Sequence, residues 1–320
     1  MKINSSKKLF LSTMIMSTIM MISSNNMLMM WVSMEINMIA FLPMMTKSKK
    51  LKDQPMKYFI VQSVSSSIML MSIMINSTME TAPGFSIMLM TSMLMKTGMM
   101  PFHLWLPNIM EKLSWENCMI ISTIQKIPPT IIITQLISLK MMLMSMMLSS
   151  VMAPITALKQ LSTKKIMAYS SISNSSWMIL SMYNSKQLFW LFMLIYSMLT
   201  MSIMNKMKMN NIMYTNQMSS MNKMTKLSMT ISILSLSGIP PLLGFLPKWI
   251  ILQNSIEMTM ILTITLVISS TISSFIYMKM SSTMMMMKSA TKKNKKEKNM
   301  KNYDLILNTM GIPMMMSMKF

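Results

Sequence analysis

Apolar stretches long enough to cross a membrane recur along this chain, and they restrict the fold more than any other feature. A spanning helix needs about 20 mostly apolar residues, because the hydrocarbon core is roughly 30 Å thick. By that criterion the 320 residues hold eleven candidate spans: 9–24, 27–45, 57–79, 85–110, 116–138, 140–158, 164–182, 187–205, 226–256, 258–279 and 303–319. A hydrophobic share of 52% and a mean hydropathy of +0.46 fit a polytopic membrane protein. The first stretch has lysines before an apolar core, as a secretory signal does. No small-residue cleavage site follows and ten more spans do, so it reads as a retained helix. The expected fold is an all-α polytopic membrane protein forming a single transmembrane domain over 1–320.

Charge tests the span count. The net charge is +22, and all 30 basic residues are lysine. Nucleic-acid recognition leans on arginine's bidentate fork, and these lysines are scattered between apolar runs, so nucleic acid is not the expected partner. With eleven spans, twenty-four lysines fall on one side of the membrane and only Lys140, Lys186 and Lys319 on the other. The crowded side includes the "KSATKKNKKEKNMK" segment within the 280–302 loop. Such asymmetry is what the positive-inside rule requires. It puts the N-terminus on the positive side and the C-terminus opposite.

Three lysines remain inside spans: Lys96, Lys126 and Lys248. Glu35 joins them in "MLMMWVSMEINMIAFLPMM". Most other membrane chemistries are excluded by the inventory. His103 is the one histidine and Cys118 the one cysteine, so the chain cannot supply paired haem ligands, a cysteine-held cluster or a disulfide. The glycines at 84, 98, 238, 244 and 311 form neither a dinucleotide fingerprint nor a P-loop. What survives is equipment for handling protons. An intramembrane lysine costs a few kcal/mol or more, so function is the default reading. A plainer reading stands beside it: Lys96 and Lys248 snorkelling to an interface, Glu35 in a structural ion pair, His103 satisfied structurally.

The fourth and ninth spans are interrupted, by "KTGMMPFH" and "SGIPPLLGFLPK". Their offset of five spans, being odd, gives them opposite orientations, as an inverted repeat requires. Each couples a Gly/Pro break to a lysine. Backbone groups freed at a break attract water, and water carries protons between side chains.

The blocks "WVSMEINMIAFLP", "MKTGMMPFHLWLP", "QKIPP", "KKIMAYSSI" and "SGIPPLLGFLPKW" run in order from Trp31 to Trp249. On them the sequence resembles the chain 2 family of mitochondrial NADH–ubiquinone oxidoreductase, respiratory complex I. The resemblance implies an antiporter-like, proton-translocating subunit of the membrane arm. Glu35 and Lys96 then match a glutamate–lysine pair, Lys126 a central lysine and Lys248 a terminal lysine; His103 stands as a possible relay. It also implies eleven spans with the N-terminus in the matrix. NADH, flavin, iron–sulfur clusters and ubiquinone are expected on other subunits, with no cofactor or metal on this chain. The implied partners are other membrane-arm subunits and inner-membrane lipids, cardiolipin included. Asn174 stands where many members have histidine, Ser237 where they have glycine and Ile124 where they have tryptophan. Two rivals stay open, a stand-alone cation/proton antiporter and a scaffold subunit that does not pump.

The lysine asymmetry makes a direct prediction. The 280–302 loop faces the mitochondrial matrix and Lys319 the intermembrane space. Protease added to intact mitoplasts should leave that loop uncut, and cleavage there would reverse the topology.

Overall fold

The computed structural model describes residues 5–46, 53–78 and 83–286. The eleventh span and the lysine-rich segment 288–301 lie outside these residues, as do Lys47, Lys49, Lys50 and Lys52. The described residues form thirteen α-helices, with no strand beyond an isolated Ser162–Tyr214 bridge. They are α1 (Ser5–Ser23), α2 (Met27–Met45), α3 (Asp53–Thr78), α4 (Pro83–Thr97), α5 (Trp105–Lys112), α6 (Trp115–Ser122) and α7 (Ile127–Leu136). These are followed by α8 (Leu139–Leu158), α9 (Thr163–Asn184), α10 (Lys186–Met209), α11 (Lys223–Ser237), α12 (Phe245–Ser255) and α13 (Met260–Met286).

Ten of the eleven expected spans therefore coincide with a helix or a broken set of helices. Five of these helices are by themselves long and apolar enough to cross a membrane: α2, α3, α8, α10 and α13. Boundaries move outward where polar ends extend a helix. α10 continues to Met209, past the expected end at 205, and α13 runs to Met286, through the first residues expected as loop.

The two expected breaks are present, between α4 and α5 and between α11 and α12. A third, in the fifth span, was not foreseen. There α6 gives way to a 3-10 turn, Ile124–Lys126, before α7. Pro128 and Pro129 have no N–H, so neither can bond the carbonyl four residues back, at Ile124 or Gln125. The backbone tightens instead, and Ile127 N–H takes up the Ile124 carbonyl.

Two compact units divide the chain, Met1–Ser149 and Ser150–Phe320. In the first, α1, α2, α3 and α4 pack in succession, and α7 lies against α4 and α1. Its buried core is rich in methionine: Met14, Met21, Met69 and Met93 are fully buried, as are Phe41 and Leu89. In the second, α9 is the inner helix, contacted by α10, α12 and α13, and buried without a gap from Ile166 to Ser181. Serines are tolerated there because their hydroxyls bond back to the helix, as Ser170 to Met167 O at 2.7 Å and Ser171 to Ala168 O at 2.7 Å.

The two breaks share one design. "GMMPFHLWLPN" (98–108) and "GIPPLLGFLPK" (238–248) align without a gap. Gly98 and Gly238, Pro101 and Pro241, Leu106 and Leu246, and Pro107 and Pro247 coincide, and the new helix starts on an aromatic residue in both, Trp105 or Phe245. Gly98 (φ +69°) and Gly238 (φ +83°) are left-handed, a conformation that costs a residue with a Cβ about 1–2 kcal/mol. At the first break Gly98 N–H bonds Met95 O and Met99 N–H bonds Leu94 O, closing a Schellman motif. Gly238 N–H likewise bonds Ser235 O.

A Cβ on Gly238 would also meet the Lys248 side chain, at 3.0 Å from its Cδ. Gly238→Ala should therefore destabilise the second unit by about 1–2 kcal/mol from strain alone and displace Lys248. The thermal unfolding midpoint of the variant should lie below that of wild type; an unchanged midpoint would refute the strain.

Candidate functional site

A glycine-terminated helix leaves its last carbonyls without an intrahelical partner. In the first unit, the last residue of α4 is Thr97, and its carbonyl accepts a hydrogen bond from Lys126 Nζ at 2.8 Å. Lys126 is 2% exposed and reaches Thr97 from the end of the 3-10 turn. The negative end of a helix dipole favours an ammonium at that place.

One residue earlier, Lys96 points its side chain towards α2. Its Nζ lies 3.8 Å from Glu35 Oε1 and 3.9 Å from Met34 Sδ. That separation keeps the Coulomb attraction but exceeds the 2.7–2.9 Å or so of a charge-assisted hydrogen bond. Glu35 Oε1, although buried, accepts no hydrogen bond from the described residues. The pair is open.

A cavity lies against both lysines and Thr97. Asn37, Gln62, Lys96, Gln125 and Lys126 contribute its polar lining, with Tyr58 and Trp105 among the aromatic residues. It offers about 30 Å³ to water centres, where one water needs roughly 10–15 Å³. Gln125 Nε2 donates to Asn37 Oδ1 at 2.8 Å, tying the residue before Lys126 to the helix that carries Glu35. Tyr58 is held by edge-on contacts with Phe41 and Trp105, at 5.3 Å and 6.1 Å between ring centroids.

Lys248 has its own station in the second unit. From α12 its Nζ donates to Ser237 O at 3.0 Å and Leu236 O at 3.3 Å, the last two carbonyls of α11. The ammonium also sits 5.7 Å from the centroid of the Trp177 ring on α9, within range of a cation–π attraction.

Comparison with known proteins agrees with this architecture. The family described as NADH:quinone oxidoreductase/Mrp antiporter, transmembrane, matches residues 24–86 and 74–275. NADH-ubiquinone oxidoreductase chain 2 of Anopheles gambiae is 35% identical, over 96% of this chain and 95% of its own length. The Locusta migratoria chain 2 is 39% identical over 87% of this chain and 85% of its own. The chain belongs to the NADH-ubiquinone oxidoreductase chain 2 family. Among solved structures, respiratory complex I from Thermus thermophilus contains a chain of the same fold, with a TM-score of 0.82. The match has 17% identity and covers 97% of this chain and 76% of that one. The Mrp complex from Dietzia has a chain of TM-score 0.71 at 14% identity, covering 85% of this chain and 59% of that one.

Within a chain 2 family protein, the geometry shows which sequence features converge. Lys96 and Lys126 line one cavity, and Glu35 joins them through its ion pair with Lys96; Lys248 sits in the other unit. His103 lies half-buried in the segment between α4 and α5, its Nδ1 3.3 Å from Pro101 O, and does not line that cavity. The carbonyls of Thr97 and Ser237 went unrecognised in the sequence, although both immediately precede the break glycines. Because Lys248 uses the backbone of Ser237, serine in place of glycine leaves that contact possible. Asn37 and Gln125 were also passed over; both stand within two residues of a charged group already singled out. Lys206, which the expected span 187–205 leaves one residue outside the membrane, is buried in the last turn of α10 and donates to Ser228 O at 3.0 Å.

The open pair yields a prediction. Glu35→Gln keeps shape and removes the charge, at a site where an effective dielectric of about 20 puts the 3.8 Å attraction near 4 kcal/mol. The variant should assemble on native gels close to wild-type level while proton pumping falls. Unchanged pumping and turnover in an assembled complex would show that the pair is structural.

Proposed function

We infer that this chain is a proton-translocating subunit of the membrane arm of NADH:ubiquinone oxidoreductase, working with Glu35, Lys96, Lys126 and Lys248 as proton carriers. Family membership supports the complex. The observation that carries the mechanism is the placement of Lys96 and Lys126 on either side of one helix end, facing a cavity with room for water. The chain is multi-pass, and its location is the mitochondrial inner membrane, with the N-terminus in the matrix and the C-terminus in the intermembrane space. Its partners are the other membrane-arm subunits and the surrounding inner-membrane lipids. NADH, flavin, iron–sulfur clusters and ubiquinone belong to other subunits, so this chain contributes proton transfer and not redox chemistry.

Each group has a physical task. Glu35 stabilises the ammonium of Lys96 by charge alone, since 3.8 Å is too far for a strong hydrogen bond. Separating the pair removes that attraction and favours release of the Lys96 proton to water in the cavity. Lys126 takes up a proton where the Thr97 carbonyl and the end of the α4 dipole stabilise it. Gln125 and Asn37 fix the spacing between the helix of Glu35 and the turn of Lys126. At Lys248, the Ser237 and Leu236 carbonyls hold a further ammonium in the same manner.

Lys126→Met tests the reading, because it preserves length and apolar packing while deleting the titrating group. The Thr97 carbonyl loses its donor, a cost of about 1–3 kcal/mol that an assembled subunit tolerates. Flavin and iron–sulfur spectra of the purified complex should be unchanged, whereas quinone-linked NADH oxidation and proton translocation should both fall. Wild-type turnover with the wild-type ratio of protons to electrons would leave Lys126 a structural residue only.

A further inference from the structure

The first unit contains a buried amide that the mechanism above does not use. Gln62, in the first half of α3, is 7% exposed and lines the cavity beside Lys96 and Lys126. Its backbone carbonyl accepts from Ser65 Oγ at 2.7 Å, whereas its side chain makes no hydrogen bond with the described residues. Burying an amide without a partner is costly, and a methionine of similar length would fill the space without that cost. In a chain with 59 methionines, an amide at this place calls for a partner.

The cavity supplies one. Its 30 Å³ or so for water centres is room for about two waters, and a buried water stays where two to four polar groups hold it. Asn37 faces the same space; its Oδ1 is taken by Gln125 Nε2 at 2.8 Å, but its Nδ2 donates to no described residue. Gln125 is engaged at both ends, since its Oε1 accepts from Tyr58 Oη at 3.5 Å. The groups left open to water are therefore unequal in kind. The two ammonium groups and Asn37 Nδ2 offer donors only, whereas the Gln62 amide adds an acceptor. A water that receives a hydrogen from a lysine needs acceptors for its own, and Gln62 Oε1 brings one that has no donor yet.

We propose that Gln62 is a positioning residue for proton transfer in this unit, its side-chain amide anchoring the water through which Lys96 passes a proton to Lys126. In the step, an N–H bond of the Lys96 ammonium breaks as an O–H bond forms on that water. The water gives up one of its own hydrogens, directly or through a second water, to the lone pair of a neutral Lys126. Lys96 ends as an amine, Lys126 as an ammonium, and the water is restored. Gln62 exchanges no proton. By accepting one hydrogen of the water, it fixes the oxygen in the cavity and leaves the other hydrogen free to be handed on.

The inference rests on Lys96 and Lys126 being proton carriers, and the test separates the two ideas. A water-resolving cryo-EM map of the wild-type complex should show a water within hydrogen-bond distance of the Gln62 amide. An amide without one overturns the proposal, however the variants behave. Gln62→Met keeps length and packing and deletes both hydrogen-bonding ends. In the assembled complex it should lower quinone-linked NADH oxidation by about three- to tenfold, the rate equivalent of one lost hydrogen bond. The ratio of turnover in H2O to that in D2O should rise above the wild-type value, because transfer through the cavity becomes limiting; a packing defect would not move that ratio. If Lys126→Met blocks pumping while Gln62→Met keeps wild-type turnover and isotope ratio, Gln62 is a packing residue and this inference is wrong. If Lys126→Met itself pumps as wild type, the inference falls with the reading beneath it.

Discussion

Carbonyl groups that a helix cannot satisfy are the element on which the site depends. In lipid, each unsatisfied backbone group costs several kcal/mol, so a helix that stops inside a bundle must find donors for its last carbonyls. Here those donors are lysines. Thr97 O takes Lys126, and Ser237 O with Leu236 O takes Lys248. The exchange satisfies two liabilities together, because a buried ammonium needs acceptors as much as a broken helix needs donors. A left-handed glycine makes each end possible, and a proline three residues later keeps the helix from resuming in line.

The two units reach this arrangement from different directions. At the second break the lysine comes from the helix that follows, Lys248 at the end of "GIPPLLGFLPK". At the first, the same register holds Asn108, and the ammonium is delivered by the 3-10 turn ahead of α7. What is shared is the receiving carbonyl one residue before the glycine. A polar group that the architecture requires can thus be met by any chain segment within reach, and the backbone of the break is the constant part.

Much of the fold was legible because lipid enforces long apolar runs and punishes breaks. α2 coincides with its expected span at both ends, and the Gly/Pro punctuation located the breaks at Gly98 and Gly238. The third interruption was harder, since Pro128 and Pro129 act on carbonyls four residues upstream and the bend falls before them. Of the site, Glu35, Lys96, Lys126 and Lys248 stood out as charges in apolar surroundings. Their partners did not, because Thr97 and Ser237 act through backbone atoms that every residue has. Lys206 was misplaced for a related reason: charged residues near a span end read as loop, yet α10 extends past it and buries it.

Lys96 and Thr97 are consecutive residues, and this adjacency has a mechanical consequence. One carries the side chain that faces Glu35; the next carries the carbonyl that holds Lys126. The Lys96–Thr97 peptide plane and the helical φ and ψ of Thr97 join them, so both contacts hang on the final turn of α4. A small twist of that turn that draws Lys96 towards Glu35 also re-aims the Thr97 carbonyl relative to Lys126. The ion pair of Lys96 and the hydrogen bond of Lys126 are tied to one turn of helix.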